Sequence, residues 1–237
     1  DAAFADAQVY HPENELEPLR RMKTFLDQQF AADGSGGFGG GLNNTDEEKE
    51  QIKAFMKLMY QKVDNGTVNV PPVTDNRDTA TVGFACEVLS EFKPAFSMVN
   101  LGGVDACHSN FSSYLSALHR ADHAVGHLWN HIQSIPGMAG NTTLILTPEC
   151  GRNLQPNNIL DENDWRAYDH SDENSMRIFT MMAGPTVPQG LTVGGEDNPV
   201  GMVTDTMMTV CDLLGVMPEV QNAGYVHSGT DSLFNRI

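Results

Sequence analysis

Apolar residues recur along this chain with two different periods, and the change of period marks the predicted elements. From Ser112 to Ile135, the residues Tyr114, Leu115, Leu118, Val125, Leu128, Trp129 and Ile132 fall at helical spacing, which predicts one long amphipathic helix. On either side the pattern becomes continuous. Ala95 to Leu101 reads as a strand, and Leu144-Ile145-Leu146, preceded by β-branched Thr142 and Thr143 and stopped by Pro148, reads as a second strand buried on both faces. Ile178 to Ala183 is a third apolar strand, and Thr204 to Leu214 a closing helix.

The unit is therefore strand, loop, helix, strand, and a crossover of this length joins parallel neighbours with right-handed connection. On this basis the fold expected is α/β, a mainly parallel sheet flanked by helices on both faces, with both rim loops opening on the same edge. That edge is where open α/β sheets place their chemistry. The first rim loop, Gly102 to His108, carries Asp105 and His108; the second, after Leu146, carries Glu149 and Cys150.

The amino-terminal part is patterned differently. Glu15 to Phe30 has helical spacing through Leu16, Leu19, Met22, Phe25 and Leu26, and stops before the glycine-rich run 33–41. That run lacks the Lys-Ser/Thr ending of a P-loop and the strand that precedes a dinucleotide-binding turn, so it reads as a surface linker. Thr45, with Glu48 three residues on, is a capping box opening a helix through Ile52, Phe55, Met56 and Met59, closed by Asp64-Asn65-Gly66-Thr67. Residues 70–73 are extended linker, and Thr79 to Phe92 is the helix delivering the Ala95 strand. We thus expect a helical, loop-rich segment over 1–80 and an α/β segment over 81–237.

Composition narrows the function classes. The chain has 237 residues, 40% of them hydrophobic, enough for one substantial core. Against 31 Asp and Glu stand 14 Lys and Arg, a formal charge of −17, which argues against sequence-independent binding to nucleic acid or anionic lipid. No apolar run reaches the roughly 20 residues that span a bilayer. Cys86, Cys107, Cys150 and Cys211 show no C-x-x-C pairing. His119, His123, His127 and His131 repeat every four residues on the long helix, beside a face of Ala, Val and Trp. N-x-Ser/Thr sequons at Asn43, Asn65, Asn110 and Asn141 are compatible with a periplasmic, secreted or cell-surface location.

Several short motifs occur in a fixed order: Asp105 and His108; Ala121-Asp122-His123-Ala124-Val125-Gly126-His127-Leu128-Trp129; Glu149-Cys150-Gly151; Tyr168-Asp169-His170-Ser171; Gly184-Pro185-Thr186-Val187-Pro188; and Thr204-Asp205 through Leu213-Leu214-Gly215. In that order and spacing, from about Phe92 to Val216, the chain resembles the alkaline phosphatase and sulfatase superfamily, particularly its phosphodiesterase-like members. The resemblance implies an alkaline-phosphatase-like domain, here its carboxyl-terminal part. It also implies that Asp105, His108 and His170 hold one divalent metal, while Glu149 and Cys150 occupy the positions of the Asp-His pair that binds a second. Two residues rather than the family's three separate Asp105 from His108. With a thiol among the ligands, zinc is the metal expected.

Arg152 and Asn153 follow as candidate substrate-binding residues. Arg152 can pair bidentately with a phosphate or sulfate, or neutralise Glu149 or an aspartate as an ion pair. Asp169 is placed to orient the His170 ring. The family's nucleophile lies upstream of the matched part, and residues 1–90 show no apolar strand ending in Asp; a missing amino-terminal half or partner chain is therefore the expected source. The function implied is hydrolysis of a small phosphate or sulfate ester. The alternative is a non-catalytic structural or interaction module, which the Glu-Cys in place of Asp-His favours; a third reading makes the metals purely structural.

Overall fold

The computed structural model describes residues 45–72, 77–224 and 226–237, which divide between two compact units with the boundary between Val68 and Asn69. The predicted helix over Glu15 to Phe30 and the glycine-rich run lie outside the described residues.

Within the first unit, α1 (Asp46–Asp64) begins as its sequence dictates. Thr45 Oγ1 accepts from Glu48 N, and the Glu48 carboxylate accepts from Thr45 N at 2.7 Å, so two otherwise orphaned amides are satisfied reciprocally. Three acidic residues in the first turn complement the helix dipole. Gly66, at φ +63°, turns the chain out of the helix, a conformation that a Cβ would strain.

In the second unit the core is a pair of helices, α2 (Arg77–Phe92) and α3 (Phe111–Ser134). Val82, Cys86 and Leu89 on α2 and Ala124, Leu128 and Ile132 on α3 fall at successive turns of one face each, and they bury one another together with Ile135 and Met138. His131, the last of the histidine stripe, fastens the pair. Its Nδ1 faces the Asn69 side-chain amide at 3.0 Å, and its Nε2 lies 3.0 Å from the Cys86 carbonyl and 2.8 Å from Ser90 Oγ. The amide must donate to Nδ1, so the proton sits on Nε2, and the ring is a structural bridge. Asn110 caps α3 by accepting from Ser113 N at 2.7 Å.

The sheet departs from the sequence reading. Among the described residues it consists of β1 (Leu144–Leu146) and β2 (Met181–Ala183), paired antiparallel with Leu144 opposite Ala183 and Leu146 opposite Met181. The expected α/β fold with a mainly parallel, doubly flanked sheet is therefore corrected: the regular structure of the unit is mainly helical, with a small antiparallel ribbon. The physical reason lies in the connections. Residues 147–180 contain no crossover helix; they form loops and a 3-10 turn, η2 (Glu173–Met176), that bring the chain back in the opposite sense. Residues 95–101, expected as a strand, form no regular element and join no ladder. Val99 and Leu101 pack against the helical core while Met98 is 80% exposed, so the strand-like alternation is present without a hydrogen-bonded neighbour.

A second anchor closes the carboxyl-terminal part, built from α4 (Asp205–Leu213), α5 (Met217–Asn222) and η3 (Leu233–Asn235). Asp205, fully buried, accepts from Met202 N and Asp231 N at 2.7 and 2.9 Å and pairs with Arg236, whose Nη2 donates to it at 3.0 Å. Arg236 Nε sits 2.6 Å from the other carboxylate oxygen but its N–H points off the line, making that contact ionic. No helix among the described residues is long and apolar enough to cross a membrane.

Leu128 is the central α3 residue of the core, so Leu128→Ala is expected to cost about 2–5 kcal/mol, read as a lower urea midpoint with an unchanged slope. A loss under about 0.5 kcal/mol, typical of a surface site, would show that the α2–α3 seam is not the core.

Candidate metal site

A 3-10 turn, η1 (Gly103–His108), carries the first two candidate ligands. In such a turn, with about three residues per turn, side chains at i and i+3 eclipse. That puts Asp105 and His108 on one side, and explains why two intervening residues suffice here. His108 Nε2 lies 3.1 Å from Asp105 Oδ1.

The turn is held at both ends. On one side the Asp78 carboxylate, from the first turn of α2, accepts from Gly102 N at 3.0 Å and Gly103 N at 2.8 Å. Opposite, Tyr168 N donates to the Cys107 carbonyl at 2.9 Å, the Asn157 side chain to the His108 carbonyl at 3.0 Å, and Arg152 Nη2 to the Val104 carbonyl at 3.1 Å.

His170 arrives from the loop that makes these contacts. Its ring meets that of His108 edge to face, with centroids 4.5 Å apart. One donor atom from each of Asp105, His108 and His170 lies within 4.8 Å of the other two. The His108 ring is fixed from behind, since Asp169 Oδ1 is 2.7 Å from its Nδ1 and also accepts from His170 N at 3.1 Å. Asp169 thus orients His108, whereas the sequence had assigned it to the ring of His170. Those bonds, His170 N first and then His108, hold the Asp169 carboxyl below its ordinary range.

Such a carboxylate–imidazole pair directs the Nδ1 proton toward Asp169, so that when the ring is neutral the Nε2 lone pair faces Asp105. Two electron-rich atoms 3.1 Å apart require a cation between them, either a proton or a metal ion. The donor set of one carboxylate and two imidazoles suits zinc, and the half-exposed setting leaves a path for a ligand.

Other predicted residues sit nearby in different roles. Arg152 lies 3.5 Å from Asp105 and also supports η1 through Nη2, while its Nη1 is buried without a hydrogen-bond partner. Asn153 is occupied in holding the His170 loop: its Oδ1 accepts from Ser171 N and Asp172 N at 2.6 and 2.8 Å, and its amide donates to Ser171 Oγ. Glu149 is exposed and Cys150 partly buried, and neither joins the Asp105–His108–His170 group. Desolvation and the adjacent Glu149 push the Cys150 thiol above its ordinary range, with Arg152 pulling weakly the other way.

No protein-family model, curated protein or solved structure matches this chain.

Asp161, which the sequence reading did not single out, secures the loop to α3. It accepts from Ser112 N and Ser112 Oγ at 2.8 and 2.7 Å, and from Asn163 N and Trp165 N. An Asp followed by Glu, Asn and Asp, here with the Asn163 amide donating back to Asp161, is an Asx-turn signal that could have found it. Desolvation opposes ionisation, but these donors outweigh it and lower the pKa from the ordinary 3.8 to about 2. A folded value below the unfolded one means the contribution is complete above the unfolded pKa and is lost as pH falls through the folded one. Thermal midpoints of Asp161→Asn should therefore fall less steeply than wild type between pH 3.8 and about 2. Equal slopes would remove Asp161 as the source.

Proposed function

We propose that this chain is the carboxyl-terminal part of a metal-dependent hydrolase-like protein acting on a small phosphate or sulfate ester, with Asp105, His108 and His170 gathering one divalent ion. The observation that carries the reading is the convergence of these three side chains, brought together from η1 and a loop some sixty residues away, within 4.8 Å. The same three residues are those that the resemblance to the alkaline phosphatase and sulfatase superfamily implies for one metal. Zinc is the ion proposed, on the donor set.

A bound divalent ion would offset charge on the ester oxygens and lower the pKa of an attacking hydroxyl. The chain's own residues do the rest. Asp169 keeps the His108 proton on Nδ1, so Nε2 presents a lone pair. Arg152, beside Asp105, tempers the negative charge of the group and keeps the carboxylate on the η1 side. The nucleophile is to be sought outside the stretch that bears the resemblance.

One observation favours the second reading, a non-catalytic module. Glu149 and Cys150, the positions of the second metal, do not join the triad, and desolvation with the adjacent Glu149 pushes the Cys150 thiol up, away from the thiolate that a metal takes. A single ion would then serve to fix η1 against the His170 loop.

Zinc titration of the chain with a chromophoric competitor tests both. About one equivalent should bind, His170→Ala should abolish it, and Asp169→Asn should weaken it roughly 10- to 100-fold, as loss of an outer carboxylate partner does. Failure of the wild-type chain to bind zinc removes the metal reading in either form.

A further inference from the structure

A cavity of about 460 Å³ adjoins the triad, lined by Arg77, Asp78, Gly102, Gly103, Asp105 and Ala106. We propose that this cavity is the oxyanion-recognition half of the candidate metal site, with Arg77 as the residue that binds the phosphate or sulfate group. The assignment rests on the metal reading above and names the side chain that would select its substrate.

The charge accounting singles out Arg77. A chain of formal charge −17 repels anions at long range, so an anionic substrate needs a local cation. Of the six lining residues Arg77 alone is cationic, and no described carboxylate lies within ion-pair distance of it. Asp78 is 2% exposed and its two oxygens are engaged by the Gly102 and Gly103 amides, so its charge is already compensated within the wall. Arg152, the cation the sequence nominated, is turned to Val104 and Asp105 instead.

The glycine at 102 points the same way by a separate route. Its φ of −99° is open to any residue, so backbone conformation does not require glycine there. A Cβ at 102, however, would sit 2.6 Å from Arg77 Nη2. The missing side chain is what lets the guanidinium lie against η1, over the loop that carries Asp105. Asp105 is common to the cavity wall and to the triad, so an anion held by Arg77 would be next to the ion. The planar guanidinium fork matches the paired oxygens of a tetrahedral oxyanion, which a lysine ammonium does not.

Inorganic phosphate titrated calorimetrically into the zinc-loaded chain tests this, with zinc content measured on each sample. Arg77→Met should weaken phosphate binding about 10- to 100-fold with zinc retained, and Arg77→Lys should recover only part of the loss. Gly102→Ala, whose Cβ meets only the end of a flexible side chain, should fold and reproduce a smaller loss by displacing the guanidinium. Phosphate binding unchanged in Arg77→Met with zinc retained overturns the assignment of Arg77 and leaves the metal reading standing. A wild-type chain that takes up no zinc overturns the metal reading, and the assignment with it.

Discussion

The Asp78 carboxylate, buried in the first turn of α2, is the interaction on which the geometry of the candidate site depends. It accepts from two consecutive glycine amides, Gly102 and Gly103, and so ties the helical core to the turn that carries the metal-ligand candidates. A buried carboxylate is costly without donors aimed at it, and two backbone amides at 3.0 and 2.8 Å satisfy one oxygen each. The same contact demands glycine at 103, where a Cβ would approach the carboxylate to 2.5 Å. Helix packing and site geometry are therefore joined by one charge. Loss of that carboxylate leaves both amides unpaired and frees η1 to move, while the α2–α3 seam keeps its apolar contacts.

From this anchor the electrostatics of the site follow in a chain. Asp105 faces His108, His108 faces Asp169, and Arg152 stands beside Asp105. Three aspartates counting Asp78 converge on one small turn, with the cations Arg152 and Arg77 on two sides. Such an arrangement favours a divalent ion between the open donors, because the ion replaces repulsion by attraction at Asp105 while the Asp169–His108 bond stays intact. A formal charge of −17 discourages anions at long range, so an anionic ligand of the proposed kind would depend on the few cations near the turn.

Much of the local structure was legible in the sequence. Thr45 with Glu48 announced the start of α1, the apolar spacing announced α2, α3 and α4, and the ordered motifs singled out Asp105, His108 and His170, which the fold does bring together. Sheet architecture was not legible. Apolar runs at 95–101, 144–146 and 178–183 have strand character, but pairing is decided by distant segments and by the path of the connection, neither of which a local pattern contains. The helix between the first two runs suggested a parallel crossover, yet in the first run Val99 and Leu101 pack against the helical core and the run meets no ladder. Asp169 was misassigned for a related reason: it is adjacent to His170 in sequence, but its carboxylate reaches His108, 61 positions back. Asp78 escaped notice because its partners, Gly102 and Gly103, are remote backbone donors.

The central claim is that the ligand group is Asp105, His108 and His170, without the thiol that the sequence placed beside them. Zinc-edge X-ray absorption on the loaded chain tests it most directly. The account predicts a shell of nitrogen and oxygen only, at about 2.0–2.2 Å, with the multiple scattering of two imidazoles. A sulfur scatterer at about 2.3 Å would bring Cys150 or Cys107 into the site and contradict the account.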